Sequence, residues 1–188
     1  QTNINTFASS AVAASGAYSK IEGFVFLPIS CFSMGLTTFI GQNLGAGQYD
    51  RAKKGAKFGI LCSISLAELI GLTVFIFAPK LIAMFNSDSV VVAYGVKQCR
   101  IEGLFFFALA LSHCIAGILR GAGKAKIPMF IMLLIWCVVR VTYITITIGL
   151  FQKIEFVYSA YPLTWSLSSI LFVIYLLKSN WLHGLDNK

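Results

Sequence analysis

Residues 127–151 read IPMFIMLLIWCVVRVTYITITIGLF, and this stretch decides the class of protein. It holds a single charged residue, Arg140, and is long enough to cross a hydrocarbon core of about 30 Å as a helix. Comparable apolar stretches run over residues 11–44, 58–85, 90–119 and 157–178. None shows the segments of about ten alternating residues that a membrane β-barrel requires. The sequence therefore predicts an all-α integral membrane protein with five transmembrane helices.

The composition supports the same conclusion. Hydrophobic residues make up 57% of the chain and charged residues 12%, and the mean hydropathy is +0.81. These values lie well outside the usage of soluble domains. The net charge of +8 does not indicate a nucleic-acid partner, because the basic residues form short clusters beside apolar spans. We expect the lipid bilayer to be the surrounding medium.

Basic residues are concentrated in two loops and predict the orientation. The first cluster lies between spans one and two, and the second lies between spans three and four: Arg51, Lys53, Lys54 and Lys57, then Arg120, Lys124 and Lys126. By the positive-inside rule these loops are cytoplasmic, and so is the C-terminus. The chain begins at Gln1 without a signal peptide and holds an odd number of spans, so we expect it to be part of a longer protein.

An internal repeat links spans one and three. Residues 20–26 read KIEGFVF, and residues 100–106 read RIEGLFF, at an offset of 80 residues. Each copy is followed by a Gly-Ala-Gly sequence and a basic loop, and such repeats are common in transporters. The alternative is a chance match in a biased composition, because the distances to the Gly-Ala-Gly sequences differ by four residues.

Six charged residues fall within the spans, where each costs about 2.5–3.5 kcal/mol unless it is paired or faces water. They are Lys20, Glu22, Glu68, Arg100, Glu102 and Arg140. Glu68 and Arg140 follow the basic loops by distances that place both near the membrane midplane, about 15–21 Å from the cytoplasmic face. We expect that they can pair, either to fix helix packing or to take part in cation coupling.

The two charged doublets belong to the outer half of the membrane. Lys20 and Glu22, like Arg100 and Glu102, are two residues apart, so the members of a doublet point about 200° away from each other. Cross-pairing between the repeated helices or contact with a water-filled cavity would satisfy them, and the first doublet could instead lie at the lipid headgroups. Glu22 is our first choice for a residue that binds a cation or a proton. His113 is either a second titrating group or a packing residue.

The ends of spans one and three carry a family resemblance. Residues 41–47 read GQNLGAG and are followed by Arg51-Ala52; residues 119–123 read LRGAG, with Pro128 beyond. These junctions resemble those that follow the eighth and tenth helices of MATE transporters, and residues 161–165 (YPLTW) resemble the start of the twelfth. The motif residues are Gly41, Gln42, Asn43, Gly45, Gly47, Arg51, Arg120, Gly121 and Gly123.

The resemblance covers residues 1–188 and implies helices eight to twelve, in the C-terminal lobe of a twelve-helix transporter. It also implies antiport in a bacterial plasma membrane, with inward Na⁺ or H⁺ flow driving export of small amphipathic, often cationic compounds by alternating access. The partner would be the N-terminal lobe of the same protein, and neither a metal nor another cofactor is expected. Residues 107–109 (FAL) lack the aspartate that one branch carries in helix ten, so the coupling ion stays open.

The sequence leaves three alternatives to multidrug efflux. A lipid-linked oligosaccharide flippase of the same broad superfamily would need a larger cationic cavity. A structural membrane subunit without transport activity is the second alternative. An enzyme is the third and is not expected, because the sequence has no HExxH motif, clustered His and Asp, or nucleophile elbow.

Overall fold

The computed structural model describes residues 2–151 and 153–183, with side chains from residue 9 onward, and this part of the chain is helical without strands. The elements are α1 (Thr2–Gly45), α2 (Tyr49–Ala83), α3 (Ser89–Gly103), α4 (Phe106–Gly121), α5 (Lys126–Met132), a π-helical segment (Leu133–Val139), α6 (Arg140–Phe151) and α7 (Ile154–Lys178). The predicted all-α membrane fold is confirmed.

Four helices are long and apolar enough to cross a membrane: Ser9–Gly45, Tyr49–Ala83, Lys126–Phe151 and Ile154–Lys178. The rod Lys126–Phe151 consists of α5, the π-helical segment and α6. Helices α3 and α4 qualify only as a pair, bent by 53°, which makes five spans if the pair counts as one. The span predicted over residues 90–119 is thus divided by a bend between Gly103 and Phe106.

The bend between α3 and α4 is caused by contacts with α2, and no proline lies there. In a continuous helix the Phe107 N–H would donate to the carbonyl of Gly103. Instead it donates to Oε2 of Glu68 on α2, at 3.3 Å. The Gly103 carbonyl turns toward Gly71 of α2, where a Cβ would collide with it. A carboxylate inserted into the backbone ladder thus breaks the helix.

Helices α1 and α4 pack in parallel at the offset of the repeat. Three residues one turn apart on α1 lie against three on α4: Ser33 against His113, Thr37 against Gly117 and Gly41 against Gly121. The Ser33 hydroxyl donates to the His113 carbonyl at 2.6 Å, and the Thr37 hydroxyl donates to the Gly117 carbonyl at 3.0 Å. Small residues at this spacing let two membrane helices approach closely.

The two Gly-Ala-Gly sequences form the same helix cap. Gly47 and Gly123 have φ of 70° and 74°, in the left-handed region that favours glycine. The N–H of Gln48 donates to Asn43 and that of Lys124 to Leu119, while each glycine N–H donates three residues back. This is the Schellman arrangement, which satisfies the last carbonyls of a helix. The chain can therefore leave the end of each helix in a tight turn.

Both basic loops lie at the same end of the bundle, which we call the basic end. Leu44, Ala52, Ala122 and Trp181 share one core cluster, so the loops after α1 and α4 meet the segment after α7. The Lys124 ammonium donates to the Asn180 carbonyl at 3.2 Å. At the opposite end, Lys97 of α3 forms an ion pair with Glu155 of α7.

Candidate functional site

Glu102 is the most deeply buried charged residue of the described chain. It ends α3 beside the bend and has 0% exposure. Its Oε1 accepts a hydrogen bond from Nε2 of Gln98 at 2.9 Å, and the Ser15 hydroxyl contacts Oε1 of Gln98 at 3.3 Å. Within the described residues, Oε2 of Glu102 has no hydrogen bond. One carboxylate oxygen inside the bundle is thus held in place, and the other is left for a further partner.

Arg140 approaches this carboxylate from the rod Lys126–Phe151. Its Nε and Nη2 donate to the Thr164 hydroxyl of α7 at 3.1 and 2.6 Å. The guanidinium also lies 4.4 Å from the ring centroid of Tyr161 and 5.3 Å from that of Trp136. Contacts with two aromatic faces and a hydroxyl stabilise a cation that has left water.

Glu22 and Tyr18 complete the group from α1. Glu22 and Glu102 both interact electrostatically with Arg140 and with each other. The Tyr18 hydroxyl is buried and lies near enough to interact with both carboxylates, most strongly with that of Glu102. We call Tyr18, Glu22, Glu102 and Arg140 the interior polar cluster. It joins α1, α3 and α6 in the middle of the molecule.

The expected pairing of Glu68 with Arg140 was wrong. Glu68 accepts its hydrogen bond from the backbone of Phe107, and Arg140 donates to Thr164. Helix α2, which carries Glu68, packs against α1, α3 and α4, whereas α6 packs against α7 and the π-helical segment. The two side chains therefore serve different contacts. A carboxylate at the N-terminus of α4 also interacts favourably with the helix dipole.

Lys20 and Arg100 do not belong to the interior polar cluster. Both are exposed on the described chain, and each lies over a phenyl ring. Lys20 Nζ is 5.1 Å from the ring centroid of Phe85, and Arg100 Cζ is 5.8 Å from that of Phe75. The bundle thus separates the two doublets by charge. The acidic members turn inward, and the basic members lie on the outside.

His113 lies among aromatic rings. Its ring contacts those of Phe26 and Trp136, with centroid distances of 4.9 and 5.4 Å. Its Nε2 has no hydrogen bond within the described residues. His113 interacts electrostatically with Arg120, whose Nη2 donates to the Ser33 hydroxyl at 2.9 Å. Packing contacts thus surround the ring, and the predicted titration of His113 stays a prediction.

The junction motif residues shape the basic end. The Asn43 amide donates to the Phe39 carbonyl at 2.7 Å, and Nη1 of Arg51 approaches Oε1 of Gln48 at 3.4 Å. Gln42 and Gly45 are exposed. These residues build helix ends and the α1–α4 contact, and they lie away from the interior polar cluster.

Several members of the site were missed by the sequence reasoning. A signal was available, because polar and aromatic residues stand one helical turn from the charges: Tyr18 before Glu22, Gln98 before Glu102 and Trp136 before Arg140. Thr164 and Tyr161 have no such signal relative to Arg140, because they come from another helix. The π-helical segment, which ends at the residue before Arg140, was not anticipated either.

No group of three or more His, Cys, Asp or Glu side chains in residues 2–151 and 153–183 is arranged to hold a metal ion. The chemistry of the site is that of paired charges in a low dielectric. A helical membrane bundle with repeated, parallel helices around such charges is typical of membrane transporters.

Comparison with known proteins gives the family. The family model described as MatE matches residues 4–146. This chain therefore belongs to the MATE family of membrane transporters, as the junction motifs indicated.

Individual relatives agree in fold. The chain is 30% identical over 118 residues to the probable multidrug resistance protein NorM of Thermotoga maritima, covering 62% of this chain and 25% of that protein. It is 33% identical over 102 residues to the FAD transporter of Shewanella oneidensis, covering 54% and 21%. The solved MATE transporter ClbM in complex with Rb⁺ superposes with a TM-score of 0.86 at 22% identity, over 95% of this chain and 42% of that one. The matched residues thus span about a quarter of the length of the two sequence relatives and less than half of the solved transporter.

Proposed function

We propose that the transporter containing this chain is a secondary-active multidrug antiporter. It exports small amphipathic, often cationic compounds while Na⁺ or H⁺ flows inward, by alternating access between two lobes. In this proposal the chain supplies helices eight to twelve of the C-terminal lobe, and the N-terminal lobe of the same protein is its partner. The basic end and the C-terminus face the cytoplasm of a bacterial cell.

The observation that carries the proposal is the charge balance of the interior polar cluster. Two carboxylates, Glu22 and Glu102, face one guanidinium, Arg140. With all three groups ionised the cluster has a net charge of −1, and an uncompensated charge away from water is costly. Binding of one proton or one monovalent cation neutralises it. The cluster therefore supports uptake of a single coupling cation, for which the Glu102 carboxylate and the neighbouring Tyr18 hydroxyl offer oxygen atoms.

Aromatic rings beside the cluster supply a surface for lipophilic cations. The Tyr161 and Trp136 rings lie against the guanidinium of Arg140. A quaternary or aromatic cation would use the same ring faces. A cationic substrate and Arg140 would then compete for one surface, which connects substrate binding to the balance of charge in the cluster.

Other substrates are less compatible with the same balance. A flippase for lipid-linked oligosaccharides must bind pyrophosphate, and FAD, the substrate named for the Shewanella oneidensis relative, also carries two phosphates. Anions of this kind require surplus positive charge. The interior polar cluster holds one guanidinium against two carboxylates, and this favours cations. A structural subunit would not need unpaired oxygens in the interior.

The test uses the full-length transporter that contains this chain, reconstituted in liposomes, with ethidium efflux measured under a Na⁺ gradient and under a pH gradient separately. We expect one gradient to drive efflux. Glu102→Gln should reduce the coupled rate about tenfold or more, equivalent to about 1.4 kcal/mol, because the variant cannot carry the charge that the coupling cation neutralises. Glu22→Gln should reduce it less, because Glu22 is only half-buried.

Glu155→Gln is the matched control, since Glu155 is an exposed carboxylate at the far end of the bundle. All three variants should insert into the membrane equally well. Ethidium flux that is independent of both gradients would contradict antiport. Gradient-driven transport of FAD in place of ethidium would identify FAD as the substrate. Normal coupled efflux in Glu22→Gln would reduce Glu22 to a packing residue.

A further inference from the structure

An apolar groove runs between α1 and α2 on the outside of the described chain. Its volume is about 440 Å³, and its lining is almost entirely carbon. The lining residues are Cys31, Phe32, Gly35, Leu36 and Phe39 of α1 with Gly55, Phe58 and Gly59 of α2. None of these residues belongs to the interior polar cluster or to the three residue pairs described between α1 and α4. The groove thus has no role in the function proposed above.

Glycines on α2 let the side chains of α1 pack closely beside the groove. At Gly59 an added Cβ would come within 2.6 Å of the Leu36 side chain, and at Gly55 it would come within 2.7 Å of Cζ of Phe39. Any larger residue on α2 would push the two helices apart or displace these side chains. An added Cβ at Gly35, by contrast, would meet nothing within 4 Å, because this glycine faces the open space of the groove.

The groove opens at the basic end and runs into the adjacent leaflet. Gly55 and Gly59 stand on either side of Lys57, the last charged residue of the first basic loop, so the α2 side of the groove lies at the headgroup level. Cys31, the lining residue farthest from the basic end, lies 14 residues before the end of α1 at Gly45, which corresponds to about 21 Å along the helix. The groove therefore extends from the headgroup region into the apolar core of the leaflet at the basic end.

Two cations stand at the headgroup end of the groove. Arg51 and Lys54 lie four residues before Gly55 and Phe58, so each shares a face of α2 with a lining residue. The Arg51 guanidinium is 5.9 Å from the ring centroid of Phe39, which is itself part of the lining. Both cations are exposed on the described chain. An apolar groove with two cations at its headgroup end is complementary to a lipid that carries a negative headgroup.

We propose that this groove binds an acyl chain of an anionic phospholipid, with the headgroup phosphate held by Arg51 and Lys54. Arginine can hold two phosphate oxygens with its planar fork, and lysine adds a point charge. A helix of the other lobe would fill the apolar slot equally well, but an apolar helix has no use for two cations at the rim. The two cations at the end of the groove therefore favour an anionic lipid over an apolar helix of the other lobe.

The experiment compares lipid retention by the full-length transporter in native mass spectrometry. Detergent-purified protein is titrated with phosphatidylglycerol or phosphatidylcholine that carry the same acyl chains. We expect phosphatidylglycerol to bind more tightly than phosphatidylcholine. The double variant Arg51→Gln with Lys54→Gln should weaken phosphatidylglycerol binding about tenfold and leave phosphatidylcholine unchanged, whereas Gly35→Trp, which fills the groove, should weaken both.

Two matched controls separate the groove from general effects. Lys126→Gln with Lys124→Gln removes two charges from the other loop at the basic end, and Gly16→Trp places the same ring on an exposed glycine of α1 that meets nothing within 4 Å. Both controls should retain phosphatidylglycerol like the unchanged protein. Three results would overturn the proposal. They are equal retention of the two lipids, equal losses in the control and groove variants, and a Gly35→Trp variant that loses thermal stability without losing lipid. Retention is measured without any gradient, so failure of antiport would not change this result.

Discussion

The two copies of the internal repeat adopt different structures from nearly the same sequence. The first copy lies in α1, which continues as one helix from Thr2 to Gly45. The second is divided into α3 and α4 by a bend of 53°. KIEGFVF and RIEGLFF have the same charge pattern and the same glycine, and neither contains proline. Local propensity therefore does not explain the difference.

The neighbouring helix explains it. Helix α2 places Gly71 against the backbone of Gly103 and the Glu68 carboxylate against the N–H of Phe107. Gly23, the counterpart of Gly103 in the first copy, meets nothing within 4 Å. The second copy thus gains a close backbone contact and a side chain that accepts its freed N–H. A tertiary contact, and not the repeat itself, decides where the helix breaks.

The same difference makes the two repeated carboxylates unequal. Glu102 ends α3 at the bend and is fully buried, whereas Glu22 lies on a continuous helix and is half-buried. A buried carboxylate depends more strongly on its few partners than one that reaches the surface. Three features test this difference between the two copies: the glycine, the helix cap and the aromatic contacts.

The largest effect is expected at the glycines of the repeat. Gly103→Leu should lower the free energy of unfolding by about 2 kcal/mol, because a Cβ at this position would lie 3.2 Å from the Gly71 carbonyl before any branch is added. Gly23→Leu is the counterpart in the first copy and should change it little. Thermal unfolding of the full-length transporter in detergent measures both. Equal losses in the two variants would show that the close approach is not specific to the second copy.

The next effect concerns the cap at the bend. Glu68→Ala removes the acceptor of the Phe107 N–H and should cost about 1 kcal/mol, the value typical of a lost helix cap. Glu68→Gln keeps a carbonyl oxygen at the site and should lose less, since it forgoes only the charge that favours the helix N-terminus. Hydrogen exchange at residues 106–109 and thermal unfolding measure the change. Unaltered exchange in Glu68→Ala would mean that the bend persists without the carboxylate.

Much of the fold could be predicted from the sequence, because hydrophobic length and loop charge act locally. The four long helices follow from the length of apolar stretches such as residues 127–151, and the shared location of the two basic loops follows from their charges. The bend after Gly103 could not be predicted, since its cause is a glycine and a carboxylate on another helix. The π-helical segment likewise carries no clear local signal.

The candidate site was predictable as a set of charges and not as a set of partners. Glu22, Glu102 and Arg140 were expected because charged residues are rare in spans. Their arrangement depends on which helix faces are opposed, and a single sequence does not state this. Glu68 and Arg140 illustrate the limit: equal depth suggested a pair, but they lie on helices that do not pack together.

The smallest effect tests what the two copies have in common. Lys20 and Arg100 occupy the same repeat position, and each lies over a phenyl ring, Phe85 and Phe75 respectively. Double-mutant cycles of Arg100→Gln with Phe75→Leu and of Lys20→Gln with Phe85→Leu should each give a coupling energy of about 0.5–1 kcal/mol. The arginine pair should lie at the upper end, because a guanidinium is more weakly hydrated than an ammonium and loses less on contact with a ring. Unfolding free energies of the full-length transporter in mixed detergent micelles provide the measurement. Coupling in one pair alone would mean that the copies share a sequence but not this contact, and zero coupling in both would leave the basic residues as solvent- or headgroup-facing charges.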